Sequence, residues 1–189
     1  MKCKDIQELS EQKKFIPTEE GLVEYVKKCM HEPHVYVWDT SGEYITDVLL
    51  DRLATKYDWY TPERLGVRRI LAGRHLRGWD CIGLIKSYVW GDYHQENTAL
   101  YTPESDFCTR TLIEQELVKG DIGTLPERPG LILWKKGHVG IYIGDGNVIE
   151  CTIRNPKTNR DDLLGGIVQT KVSDVEWTYW LEYPGILYK

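Results

Sequence analysis

A chain of 189 residues, 41% apolar and 28% charged, can bury one substantial core, so one domain is the expectation. Its net charge of −5 provides no basic surface of the kind a phosphate backbone demands, so nucleic acid is excluded as an expected partner. No stretch supplies the ~18 consecutive apolar residues of a membrane-spanning helix, so no membrane insertion is expected either.

Residues 1–16 alternate charged and polar side chains without the apolar run of a Sec signal peptide, and read as a loose segment ahead of a single domain at 17–189. Thr18 is placed to cap a helix whose Leu22, Val23, Val26 and Met30 recur at three- and four-residue intervals until Pro33 stops it. His34 to Trp38 is β-branched and aromatic and predicts a short extended segment, closed by turn chemistry at Asp39–Gly42. Leu49, Leu50, Leu53 and Tyr57 mark a second helix. Thr61-Pro62-Glu63 starts a third, which Gly73 ends.

The run from Cys81 to Trp90 has helical spacing before Gly91, which puts Cys81 in a helix's first turn. A further helix is expected over Asp106–Val118. After Gly130 the pattern changes to strands at Leu131–Trp134, Val139–Ile143, Val148–Cys151, Ile167–Thr170 and Trp177–Tyr183, with Asp145-Gly146 marking a tight hairpin. Helices first and an antiparallel sheet afterwards make an α+β fold.

Five cysteines, Cys3, Cys29, Cys81, Cys108 and Cys151, are odd in number and widely spaced, so at least one thiol is expected free and synthesis in a reducing cytoplasm is expected. Cys81 is the candidate nucleophile, because a helix start favours the thiolate. His138 heads a strand that would hold its ring direction, and is the candidate base. Glu150, twelve residues on and across the Asp145-Gly146 hairpin, is placed to orient the imidazole, completing a Cys81, His138, Glu150 triad. The run Cys29-Met30-His31-Glu32-Pro33-His34 matches no common zinc spacing, so neither a metal nor another cofactor is expected.

Asp80-Cys81-Ile82-Gly83-Leu84 and His138-Val139-Gly140-Ile141-Tyr142-Ile143-Gly144 resemble the two motif blocks of the NlpC family of cell-wall cysteine peptidases. Tyr36-Val37-Trp38 is similar to that family's tyrosine-bearing element, and Pro129-Gly130-Leu131-Ile132 to its strand entry before the histidine. The resemblance spans roughly residues 20–189, with about 43–78 reading as an insertion. It implies a papain-like fold and hydrolysis of peptidoglycan stem peptides, commonly between D-glutamate and a diamino acid. It also makes Tyr36 and Asp80 substrate-binding candidates, to which Trp79, flanking the cysteine, is added.

Two positions depart from the family pattern. Ile82 stands where members usually carry serine, a hydroxyl used in recognising a free peptide amine. Glu150 stands where His, Asn or Gln is usual, and its charge favours the protonated form of His138. Two other functions use the same residues: an acyltransferase, amidase or thioesterase keeping the Cys81–His138 pair, and a wall-binding module without turnover. A wall enzyme without a Sec signal is expected to reach its substrate by non-Sec export or lytic release. Oligomeric state is not encoded in any of these features.

Overall fold

The computed structural model describes residues 15–91, 100–155 and 160–189. Helix α1 (Glu19–His31) begins where expected: the Thr18 hydroxyl accepts from the Gly21 N–H at 3.1 Å, and Glu19 and Glu20 occupy the positive end. The loose segment expected at 1–16 lies outside the described residues up to residue 14, as does Cys3. Phe15 is not loose, since it packs edge-on against Tyr88 at 5.5 Å.

Strands β1 (His34–Tyr36) and β2 (Ser41–Tyr44) are joined through Asp39, whose φ of 62° reverses the chain. Thr46 caps α2 (Asp47–Lys56), and Thr61 caps α3 (Pro62–Leu71) with proline in its first turn. Strand β3 (Arg77–Trp79) then enters between β1 and β2, parallel to the first and antiparallel to the second. This three-stranded sheet replaces the single extended segment read from the sequence. Its strands have only three or four residues, too few to show a period.

After β3 come α4 (Gly83–Val89), α5 (Thr109–Ile113) and β4 (Lys119–Asp121). The helix expected over Asp106–Val118 is thus shortened to five residues. Glu114 and Glu116 would sit at the negative end of a longer helix, and the Lys119 ammonium instead donates to the carbonyls of Ile113 (2.8 Å) and Gln115 (3.4 Å).

The second sheet is antiparallel throughout, with strands β5 (Ile132–Lys135), β6 (His138–Gly144), β7 (Asn147–Asn155), β8 (Arg160–Lys171) and β9 (Tyr179–Leu181) in the order β4-β9-β5-β6-β7-β8. Asp145 and Gly146 both have positive φ, 52° and 69°, as the expected hairpin between β6 and β7 requires. One face of this sheet, through Val139, Ile141, Ile149 and Cys151, packs on Leu22 and Val26 of α1 and Leu84 and Ile85 of α4. The architecture is α+β. Val35, Val37, Ile45, Leu50 and Leu53 form a separate core beneath α2 and α3, so the segment at 43–78 carries its own hydrophobic support.

Arg68 of α3 joins that segment to the large sheet. Fully buried, its guanidinium donates to the carbonyls of Tyr36 (2.7 and 2.9 Å), Arg64 (2.8 Å), Leu163 (2.9 Å) and Leu164 (3.2 Å). Burial lowers its pKa to about 10, so the charge persists at neutral pH. Arg68→Met keeps the volume but removes the guanidinium donors from the buried Tyr36 carbonyl and the partly buried Leu163 and Leu164 carbonyls. It is expected to cost about 3 kcal/mol in urea unfolding.

Candidate active site

Cys81 is delivered by β3 and fastened before α4 begins. The Asp80 carboxylate accepts from the Gly83 N–H at 2.6 Å, and its carbonyl accepts from the Leu84 N–H at 3.2 Å. Asp80 therefore acts as the cap, and Cys81 lies in the capping turn, two residues ahead of the regular helix that was expected to contain it. The second carboxylate oxygen of Asp80 accepts from the Asp39 N–H at 2.9 Å, tying this turn to the β1–β2 connection. Gly83 is required there, because a Cβ would lie 1.9 Å from the Thr40 carbonyl oxygen.

Strands β6 and β7 pair at Ile141–Ile149 and Tyr142–Val148. Nearer the start of β6 that pairing ends, and the Val139 N–H is directed at the Cys81 sulfur, favouring its anionic form. The Cys151 thiol donates to the Trp79 carbonyl at 3.2 Å. The cysteine turn is thus docked where β6 and β7 part, against Val139 of one strand and Cys151 of the other.

His138 is held on two sides. Its Nε2 meets Glu150 Oε2 at 2.5 Å, and its ring stacks on Trp177 at 5.5 Å and 14°. Glu150 is itself 3% exposed, and its other oxygen accepts from the Thr170 hydroxyl at 2.7 Å. With Nε2 committed to the carboxylate, Nδ1 is the ring nitrogen available to exchange a proton. Of the three predicted residues the structure joins His138 to Glu150 and sets the N–H of Val139, the residue after His138, against the Cys81 sulfur; it adds Thr170 and Trp177, which the sequence did not single out. Thr170 shares a sheet face with Glu150 by strand alternation, a signal present in the sequence. Trp177 carries no such signal.

The resting thiol is neutral. Burial, followed by the nearby negative charge of Asp80, pushes Cys81 up to about 12, against the opposing pull of the Val139, Ile82 and Cys81 N–H groups. Among the described residues, no hydrogen bond joins the thiol to the His138 ring. The helix start alone does not hold a thiolate here.

Tyr36 is 5% exposed and packs in the same core as Cys81; its phenol is pushed up chiefly by burial. Asp80 is pushed up to about 6 by burial, with the Gly83 N–H and the Lys86 ammonium opposing. Trp79 is corrected: it is 0% exposed, its indole N–H donates to Ser87 at 3.2 Å, and it packs in the core where no substrate reaches.

A cleft of about 390 Å³ adjoins the site, lined among others by Glu43, Arg52, Lys86, Trp90 and Asp106. It meets the catalytic turn through Asp80 and includes none of Cys81, His138 or Glu150. Among the described residues, no group of three or more His, Cys, Asp or Glu side chains is arranged around a common metal position. His34 bonds the Glu32 carbonyl at 2.7 Å, and Cys29 is buried in the main core.

No model of a known protein family and no curated protein matches the chain.

Thiol reactivity follows from these environments. Cys108 is exposed, and the Thr111 hydroxyl, then backbone N–H groups and Arg110, lower its pKa. With iodoacetamide at pH 8, Cys108 is expected to be modified at least about tenfold faster than Cys81, Cys29 or Cys151. Timed quenching and peptide mass spectrometry measure the order; Cys81 reacting first would show an activated resting thiolate.

Proposed function

We propose that the protein is a papain-like cysteine endopeptidase of the NlpC kind, hydrolysing peptidoglycan stem peptides at a D-glutamyl–diamino acid bond. One observation carries this reading: His138, clamped by Glu150 and Trp177, begins the strand whose next N–H faces the Cys81 sulfur. In this reading the nucleophile comes from the capped turn, and base and orienter from the two strands beside it.

In this reading His138 Nδ1 takes the thiol proton as Cys81 attacks the scissile carbonyl. The oxyanion is stabilised by main-chain N–H groups, for which those of Cys81 and Ile82, already facing the sulfur, are the candidates. Imidazolium, steadied by Glu150, protonates the leaving amine, and the acyl-enzyme remains. Water then gives a proton to His138, attacks the thioester and frees the acid and the thiol. Asp80, the cysteine's neighbour in sequence, and Tyr36, in the same core, are the groups placed to meet the substrate.

Mass spectrometry of muropeptides digested by the parent and by Cys81→Ala tests the proposal: a new amine and acid within the stem peptide, absent with the variant, support it. A cut only at the sugar amide, or an acylated product with the peptide intact, favours an amidase or acyltransferase using the same pair. The buried, neutral resting thiol favours a second reading, a wall-binding module without turnover. Retention of the protein on purified walls with no new ends under any condition would establish that reading instead.

A further inference from the structure

Tyr36 and Trp38 project from one side of β1 and its continuation, while Val35 and Val37 fill the core beneath α2 and α3 on the other. Trp59, from the α2–α3 connection, leans on Tyr36 at 5.6 Å and stacks on Trp38 at 6.2 Å and 24°. Tyr36 is buried in the same core as Cys81, Trp59 is half-buried and Trp38 is 39% exposed. The three rings form a track from the thiol to the surface.

The track is rigid. Tyr60 donates its hydroxyl to the Trp38 carbonyl at 2.6 Å and meets Trp59 edge-on at 4.9 Å. The guanidinium groups of Arg64 and Arg68 lie over the Trp59 ring at 4.8 and 4.7 Å. Asp39, the next residue, is bound to Asp80 and to Lys56, so the exposed indole is fixed relative to the cysteine turn. Isolated exposed apolar residues are ordinary. A stacked pair of indoles, anchored by hydrogen bonds and continuous with a nucleophile's surroundings, is not.

We propose that the open face of Trp38, backed by Trp59, forms a saccharide platform, seating a pyranose of the glycan strand while its stem peptide lies over Cys81. The identity of that sugar-bearing ligand rests on the peptidoglycan reading; the platform itself rests on the rings. A pyranose chair presents a face of polarised C–H bonds that packs on the electron-rich indole face. Its equatorial hydroxyl and acetamido groups point sideways, where Asp39, the next residue, and its partner Lys56 supply an acceptor and a donor. An aliphatic peptide side chain would gain nothing from that charged rim.

The test uses the full chain carrying Cys81→Ala and a peptide-free probe, the β-1,4-linked tetramer of N-acetylglucosamine, followed by calorimetry and tryptophan fluorescence. Saturable binding is expected, weakened about tenfold or more by adding Trp38→Ala, in line with about 1.4 kcal/mol for one exposed stacking ring. Trp38→Phe should retain part of the affinity, and Val48→Ala, remote and 80% exposed, all of it, with thermal melts unchanged throughout. Absence of binding at millimolar tetramer, or a Trp38→Ala protein binding as tightly as its parent, overturns the platform.

A sugar-free stem peptide provides the second arm. If Trp38→Ala weakens that peptide as much as the tetramer, the rings hold peptide and the proposal falls. Turnover is not needed for either measurement. A chain that binds the tetramer through Trp38 yet never cuts muropeptides keeps the platform and loses the endopeptidase. One that cuts muropeptides without binding the tetramer does the reverse.

Discussion

Cys81→Ala is expected to lower stem-peptide cleavage by about 10⁵-fold or more, the scale seen when a covalent nucleophile is removed. No neighbouring group replaces it: Cys151, the other thiol near the β6–β7 opening, is 0% exposed, and its thiol is engaged by the Trp79 carbonyl. The substitution removes one sulfur from a site 5% exposed and leaves the Asp80 capping bonds intact, so the fold is expected to persist. On the proposed mechanism His138→Ala should cost nearly as much, and the double variant little more, because that mechanism joins the two groups in one proton transfer. Rates from chromatographed muropeptide digests provide the measurement, with circular dichroism as the fold control. A Cys81→Ala protein within tenfold of the parent would sink the covalent mechanism.

The second large effect separates two roles for Glu150. Its side chain accepts from Thr170 with one oxygen and engages His138 Nε2 with the other, while 3% exposed. Glu150→Leu removes both acceptors and frees the imidazole to rotate or adopt the other tautomer. It is expected to lower kcat about 10³-fold with KM little changed. Glu150→Gln can present its amide oxygen to Nε2–H and its NH₂ to the Thr170 oxygen, so orientation survives. Only the charge opposite the imidazolium is lost, and the expected cost is about tenfold. If Gln proves as damaging as Leu, charge rather than orientation is what His138 draws from this position. Equal activity of all three proteins would remove Glu150 from the catalytic group.

Much of this site is legible locally. The Asp145-Gly146 turn makes β6 and β7 neighbours, and a one-residue register shift between Tyr142 and Gly144, which the turn does not dictate, brings positions 138 and 150 onto one face. Thr18, Thr46 and Thr61 cap helices for reasons contained within four residues each. The three-residue strand β3 shows no such period, and Trp79, which looks like a groove aromatic beside the cysteine, is enclosed by contacts from segments far away in the chain.

Taken alone, then, the sequence determined the α+β class, the helix caps and the 145–146 hairpin, because each depends on interactions across a few residues. It also singled out Cys81. Only the tertiary structure decided where that thiol sits, at the parting of β6 and β7 against the Val139 N–H, and that it rests as a neutral thiol. The helix start favours a thiolate, as the sequence suggests, but desolvation and the Asp80 charge outweigh it. Burial is a sum over distant neighbours, and no local pattern records it.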